Sequence, residues 1–349
     1  MSTFTRLHTP DDAWLARAES EDPLQPDLPI VDPQLHLWDV LGQRYFIEEY
    51  AKDIAASGHR VEASVYVECF MAYRAQGPER MKYVGETEFA VGQAALGASG
   101  RYTTSRVAEG IVAYADVSLG ESVREVIDAH LAAGGGRLRG IRQRAKWDPD
   151  PAVRGKYHAA GPGLYRDAVF GRGLGILTQK GLAFEASVFH PQIPDVTAMA
   201  RAHPDASIVL AHSGSPIGHS SYAGKLDQTH ADWLVSMKEL ASCPNVSVKM
   251  GGLLMWLGNF DFTQADKPPT SQHMAGLWRP FIEPCIELFG ARRCMLSSNF
   301  PVDKAGLSYG TLWNAFKRIT AGCSDDEQRA LFAGTARRVY RLSEPPSTV

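Results

Sequence analysis

Ile30-Val31-Asp32-Pro33-Gln34-Leu35-His36-Leu37-Trp38-Asp39 opens as an apolar strand and closes on polar and aromatic residues. Residues two apart on a strand project to one face, so Gln34 and His36 look the same way. If that face lines a barrel, both side chains enter its centre. Two inward histidines would make half of a metal site, and here one of the two positions is Gln. A lone histidine at a strand end is otherwise a satisfied core residue.

Seven more short apolar stretches follow: Ala63–Glu68, Glu109–Ala115, Leu138–Arg142, Ala183–Val188, Ser207–Ala211, Val246–Met250 and Cys294–Ser298. Between them lie helix-period segments such as Gly85–Ala94, Ser122–Ala133, Pro194–Ala202, Ala231–Ala241, Pro280–Leu288 and Leu312–Ile319. Eight rounds of strand–helix alternation predict an α/β fold, a single (β/α)8 TIM barrel. Continuous apolar runs such as Ser207–Ala211 suit parallel strands covered on both faces. Residues 1–28 form an N-terminal lead-in with a helix over Asp11–Arg17, and residues 29–349 form the barrel. The connections 37–60, 145–168 and 251–275, after strands one, four and seven, are longer than packing requires. The last is rich in Gly, Pro and aromatics and suits a lid or, with exposed Trp and Met, a homodimer contact. A passive surface insertion is the plainer reading.

The 349 residues carry a formal net charge of −3, with no basic field for nucleic acid. No apolar run reaches the about eighteen residues of a membrane span. The start contains acidic residues and no apolar centre, unlike a signal peptide. Cys69, Cys243, Cys285, Cys294 and Cys323 are scattered without a CxxC pair, which fits a reducing compartment and a cytoplasmic location.

The strand ends gather the chemistry: Gln34 and His36; Glu68; Arg142 and Arg144; Glu185 and His190; His212; Lys249; Ser298 and Asn299. All would converge on one mouth, where barrel enzymes keep their active sites. DPQLHLWD (32–39), GIR (140–142), HPQIPDV (190–196), VLAHSGSP (209–216) and SNFPVD (298–303) occur in this order. Together they resemble the amidohydrolase superfamily, in the branch that includes sugar lactonases and pyrone-dicarboxylate lactonases. The likeness runs from about Pro29 to Leu342 and is more specific for fold than for substrate.

That resemblance implies His-x-His on strand one, histidines on strands five and six and an Asp on strand eight, which hold a divalent ion in members that use metal. His36, His190 and His212 match. Gln34 stands at the first His and Asn299 at the Asp. A neutral amide oxygen is a weak donor that cancels none of the ion's charge, so a site without tightly held metal is expected. One zinc remains the alternative, with His36 and His190 as ligands. Some lactonases of the branch are similar in working without metal.

Without a metal, an electrophile and a base are needed. Arg142 and Arg144 share a strand face and can bind a carboxylate or hold an oxyanion; structural ion pairs are the alternative. The strand-eight Asp that the resemblance implies as base is absent, which leaves His212 and His190, whose ordinary pKa of about 6.5 suits proton transfer, and Glu68. A carboxylate ending the buried run VYVECF is either used or paired, for example with Arg142. Asn299 can orient a water or a carbonyl, Trp38 can line the pocket, and Lys249 either faces substrate or pairs with a carboxylate. The expected function is a hydrolase that opens a lactone or related cyclic ester of a small carboxylate-bearing acid. The alternatives are a non-hydrolytic lyase or isomerase (a decarboxylase or lactone isomerase) and a barrel that only binds a ligand.

Overall fold

In the computed structural model, residues 9–40, 42–154, 160–257 and 265–344 are described. The eight apolar stretches become β1 (Ile30–Leu35), β2 (Val61–Val67), β3 (Arg106–Ala113), β4 (Leu138–Arg144), β5 (Ala183–Ser187), β6 (Ile208–Leu210), β7 (Val246–Met250) and β8 (Cys294–Leu296). They pair in chain order as one parallel sheet. Between β8 and β1 the ring is drawn together above the last paired residues. The His36 amide donates to the Phe300 carbonyl at 2.8 Å and the Asn299 amide to the Gln34 carbonyl at 3.0 Å. The (β/α)8 architecture is therefore as expected.

Asp32 fixes this seam. Its buried carboxylate accepts from the Ser298 amide (3.0 Å), the Ser298 hydroxyl (2.5 Å), the Tyr309 hydroxyl (3.0 Å) and the Gln34 amide (3.3 Å). Burial still raises its pKa above the usual carboxylate range. By tying residues 32–34 to 298, it sets where Gln34, His36 and Asn299 can point.

Three segments differ from expectation. The stretch 37–60 is mostly regular, with an antiparallel hairpin (Trp38–Val40 with Gln43–Tyr45) and the helix Ile47–Ser57. That helix buries Ile47, Tyr50 and Ala51 and stops at Gly58, whose φ of +65° suits a residue without Cβ. Strand six is only three residues long, because His212 (φ +54°) and Ser213 (φ +49°) turn left-handed immediately beyond it. In the 251–275 connection, helix Leu253–Leu257 turns Trp256 inward, Met274 is fully buried and Met255 is half-buried, so neither Trp256 nor Met274 has the expected exposure. Its residues 258–264, and 155–159 of the 145–168 connection, lie outside the described residues.

Inside the barrel, Val31, Val65, Val67, Val112, Val209 and Met295 cluster with Ala336 and Tyr340 of the C-terminal helix. The outward strand faces pack on the helices in the larger core that includes Trp233, Trp278 and Trp313. The lead-in docks on the barrel: Lys317 Nζ donates to the Leu24 and Gln25 carbonyls, each at 2.7 Å.

Candidate active site

In the barrel centre a chain of hydrogen bonds runs from wall to wall. Lys249 on β7 is 0% exposed, and its ammonium donates to Glu185 Oε1 (2.6 Å), Gln34 Oε1 (2.9 Å) and the Pro33 carbonyl (2.9 Å). Because Gln34 Oε1 accepts from Lys249, its Nε2 is free to donate to His36 Nε2 (3.1 Å). His36 Nδ1 then donates to the Val67 carbonyl (2.8 Å), which fixes the neutral tautomer. Burial first and Arg142 second hold His36 well below the usual imidazole range. Tyr340 completes the chain with a 2.6 Å bond to Glu185 Oε1. Of the two readings for Lys249, the structure shows the carboxylate pair. Trp38 stacks parallel to His36, ring centroids 5.9 Å apart.

The second group stands on β4 and just beyond. Arg142 and Arg144 alternate on β4 and share one side, and Lys146 follows two residues beyond the strand. Glu68 accepts from Arg142 Nε and Arg144 Nη2, both at 2.7 Å, and its carbonyl accepts from Arg142 Nη2 at 2.6 Å. As a doubly paired carboxylate it holds the two guanidiniums and is not placed as a base. Arg144 also lies over Phe70, 4.4 Å from the ring centroid. Lys146, which the sequence reading passed over, sits 3.3 Å from the Trp256 ring centroid and 5.3 Å from that of Phe189. Behind Glu68 lies Glu86, whose pKa rises to about 7 through burial and the Glu68 charge.

His212 and Asn299 meet at Gly252. A Cβ at that glycine would fall 2.3 Å from His212 Nδ1 and 3.1 Å from Asn299 Nδ2, and the residue's φ is +68°. No other amino acid fits there. His212 and Asn299 (φ +57°) both hold left-handed backbone, a strain typical of functional strand ends. His212 Nδ1 donates to the Gly251 carbonyl (3.1 Å), which leaves the Nε2 lone pair as the ring's acceptor. Burial, then Lys146 and Arg142, hold its pKa well below the usual value. Asn299 Nδ2 donates to Asp303 Oδ1 (2.9 Å), while Asp303 Oδ2 is buried without a hydrogen-bond partner among the described residues.

Asp303 was quoted in SNFPVD but not singled out, and it is the carboxyl nearest in chain to the altered strand-eight position. Burial raises its pKa to about 7. A raised carboxyl pKa adds stability in acid and loses it as pH rises through the folded value. Asp303→Asn removes the buried charge, so its advantage over the parent should grow by about 3 kcal/mol between about pH 5 and pH 8. Urea unfolding of both proteins at the two pH values measures this, and a pH-independent difference would contradict it.

His190 makes its contacts elsewhere. Its Nδ1 accepts from the Ile217 amide at 3.4 Å and its ring meets Tyr222 edge-on at 5.4 Å. Burial lowers its pKa to about 4. The structure thus gathers Gln34, His36, Glu68, Arg142, Arg144, His212, Lys249 and Asn299 at the C-terminal mouth, with His190 turned into the neighbouring loop.

A divalent ion does not fit the donors as arranged. His36 Nε2 accepts from Gln34, Gln34 Oε1 accepts from an ammonium, and the Asn299 amide nitrogen is aimed at Asp303. Among the described residues no three His, Cys, Asp or Glu side chains form a metal-holding group. Lys249 supplies a fixed positive charge between Gln34 and Glu185.

Comparison with known proteins adds four findings. The profile of the family described as Amidohydrolase matches residues 31–342. The protein y4mH of Sinorhizobium fredii is 32% identical over 331 residues, 90% of this chain and 99% of that one. An L-fucono-1,5-lactonase of Burkholderia multivorans is 29% identical over 212 residues, 60% of this chain and 65% of its own length. Among solved structures, an amidohydrolase from Burkholderia multivorans with bound zinc superposes with a TM-score of 0.66 at 24% identity, over 90% of this chain and 99% of that one.

Proposed function

This chain belongs to the amidohydrolase family, and from that premise we propose that it hydrolyses a lactone or related cyclic ester of a small carboxylate-bearing substrate without a resident metal. The supporting observation is the charge at the mouth. Arg142 and Arg144 share one carboxylate, Glu68, so the wall keeps a positive excess that attracts an anion. The likeness to an L-fucono-1,5-lactonase supports the reaction class.

In this reading Arg144, the more accessible guanidinium, takes the substrate carboxylate, and the remaining Arg142 Nη1 polarises the ester carbonyl. Water lies between His212 Nε2 and the Asn299 side-chain oxygen. His212 accepts its proton as the water attacks the carbonyl carbon, and returns it to the leaving alkoxide as the ring opens. Binding of an anion offsets the positive neighbours that depress His212, so its basicity rises when the site fills. Gln34 and Lys249 hold His36 and Trp38 as a fixed wall.

The test is a panel of neutral sugar 1,5-lactones and carboxylated lactones and pyrones, followed as ring-opening. The carboxylated members should react faster, with KM rising with salt. His212→Ala should lower kcat by about 10²–10⁴-fold, and Arg144→Ala should act mainly on KM. Activity should survive chelation. Stoichiometric zinc whose removal abolishes turnover would overturn the metal-free part, and absence of turnover on every lactone would overturn the reaction.

A further inference from the structure

We propose that Lys146 is a nucleophilic amine and that the mouth accepts a small oxo carboxylic acid, whose carbonyl condenses reversibly with Lys146 while its carboxylate rests on Arg144. This is a second chemistry at the mouth and does not depend on lactone hydrolysis.

Lys146 is 2% exposed, yet no carboxylate among the described residues pairs with it. Its amine lies against the faces of Trp256 and Phe189. Glu68, the anion of this wall, is committed to Arg142 and Arg144. An ammonium here has lost its water and gained two like charges, with only ring faces in its favour. Burial first, then Arg142 and Arg144, push its pKa well below the usual lysine range. An amine desolvated by apolar walls and set beside other cations keeps its lone pair and attacks carbonyls.

The same cations choose the partner. A neutral aldehyde or ketone gains nothing from the guanidiniums, whereas an oxo acid places its carboxylate on Arg144 and brings its carbonyl toward the amine. Lys146 is also the neighbour that, after burial, most strongly depresses His212, so both side chains belong to one positively charged mouth.

The Nζ lone pair adds to the carbonyl carbon, and the amine proton passes by way of solvent to the former carbonyl oxygen, giving a carbinolamine. That oxygen takes a further proton from solvent and leaves as water, and the nitrogen lone pair forms the C=N bond of an iminium. Hydrolysis reverses each step.

The experiment exposes the whole protein at neutral pH to pyruvate with cyanoborohydride, which reduces the iminium to a stable secondary amine. Intact mass and peptide mapping then locate the adduct. Lys146 should label at least tenfold faster than any other lysine and at least tenfold faster with pyruvate than with acetone. Arg144→Gln should slow its labelling by tenfold or more, and Lys146→Met should lose the fast adduct. Labelling spread evenly over exposed lysines, or no adduct at Lys146, overturns the proposal. Equal labelling by acetone and pyruvate overturns the carboxylate anchor. Should Lys146→Met not fold, the parent's peptide map decides alone.

Discussion

Glu68→Gln is expected to lower the unfolding free energy by about 3–5 kcal/mol, as for other buried ion pairs stripped of one partner. The carboxylate is 0% exposed and one of its oxygens receives both Arg142 Nε and Arg144 Nη2. An amide keeps the shape and leaves two guanidiniums, with Lys146 beside them, lacking an anion. Two cations about 4 Å apart at an effective dielectric of about 20 repel by about 4 kcal/mol, so the loss is electrostatic rather than steric. The midpoint of urea unfolding measures it. A small anion such as citrate should partly restore the variant, raising its melting temperature more than the parent's, because the bound carboxylates replace the missing charge. A variant within about 1 kcal/mol of the parent would mean that solvent already screens this group.

Glu185→Leu should have an effect of similar size, about 3–5 kcal/mol, for a related reason at the centre of the barrel. It leaves Lys249 buried with only neutral oxygens, and burial already lowers that ammonium to about 8 with Glu185 present. The double variant Glu185→Leu/Lys249→Met removes both charges and should recover most of the stability, since apolar residues of similar volume commonly replace a buried pair without loss. It should not recover turnover. Without Lys249, Gln34 can rotate its amide, and His36 Nε2 loses its donor and with it the orientation of the ring. A stable double variant with parental kcat would show the hydrogen-bond chain to be structural only.

The alternation of apolar strands and helix-period segments was enough to place all eight strands to within a few residues. The end of each strand then named most of the mouth: Gln34, His36, Glu68, Arg142, Arg144, His212, Lys249 and Asn299. Lys146 lies two residues beyond the end of β4 at Arg144, past the point where the alternation of strand side chains can name it. Asp303 escaped because it lies beyond the strand, on a 3-10 turn that brings it back under Asn299. His190 was placed at the correct end, but the turn His190–Gln192 begins at that residue and directs its ring toward Tyr222.

By itself the sequence determined the barrel and which residues end its strands, because side-chain alternation and helical periodicity are local properties that survive without knowledge of neighbours. Only the tertiary structure decided which charges meet: Glu68 with Arg142 and Arg144, Glu185 with Lys249, and no carboxylate described for Lys146. Those pairings span 74, 76 and 64 residues of chain. They depend on strand register and on the loss of water inside a closed ring, where the charge left without a partner acquires the most unusual chemistry.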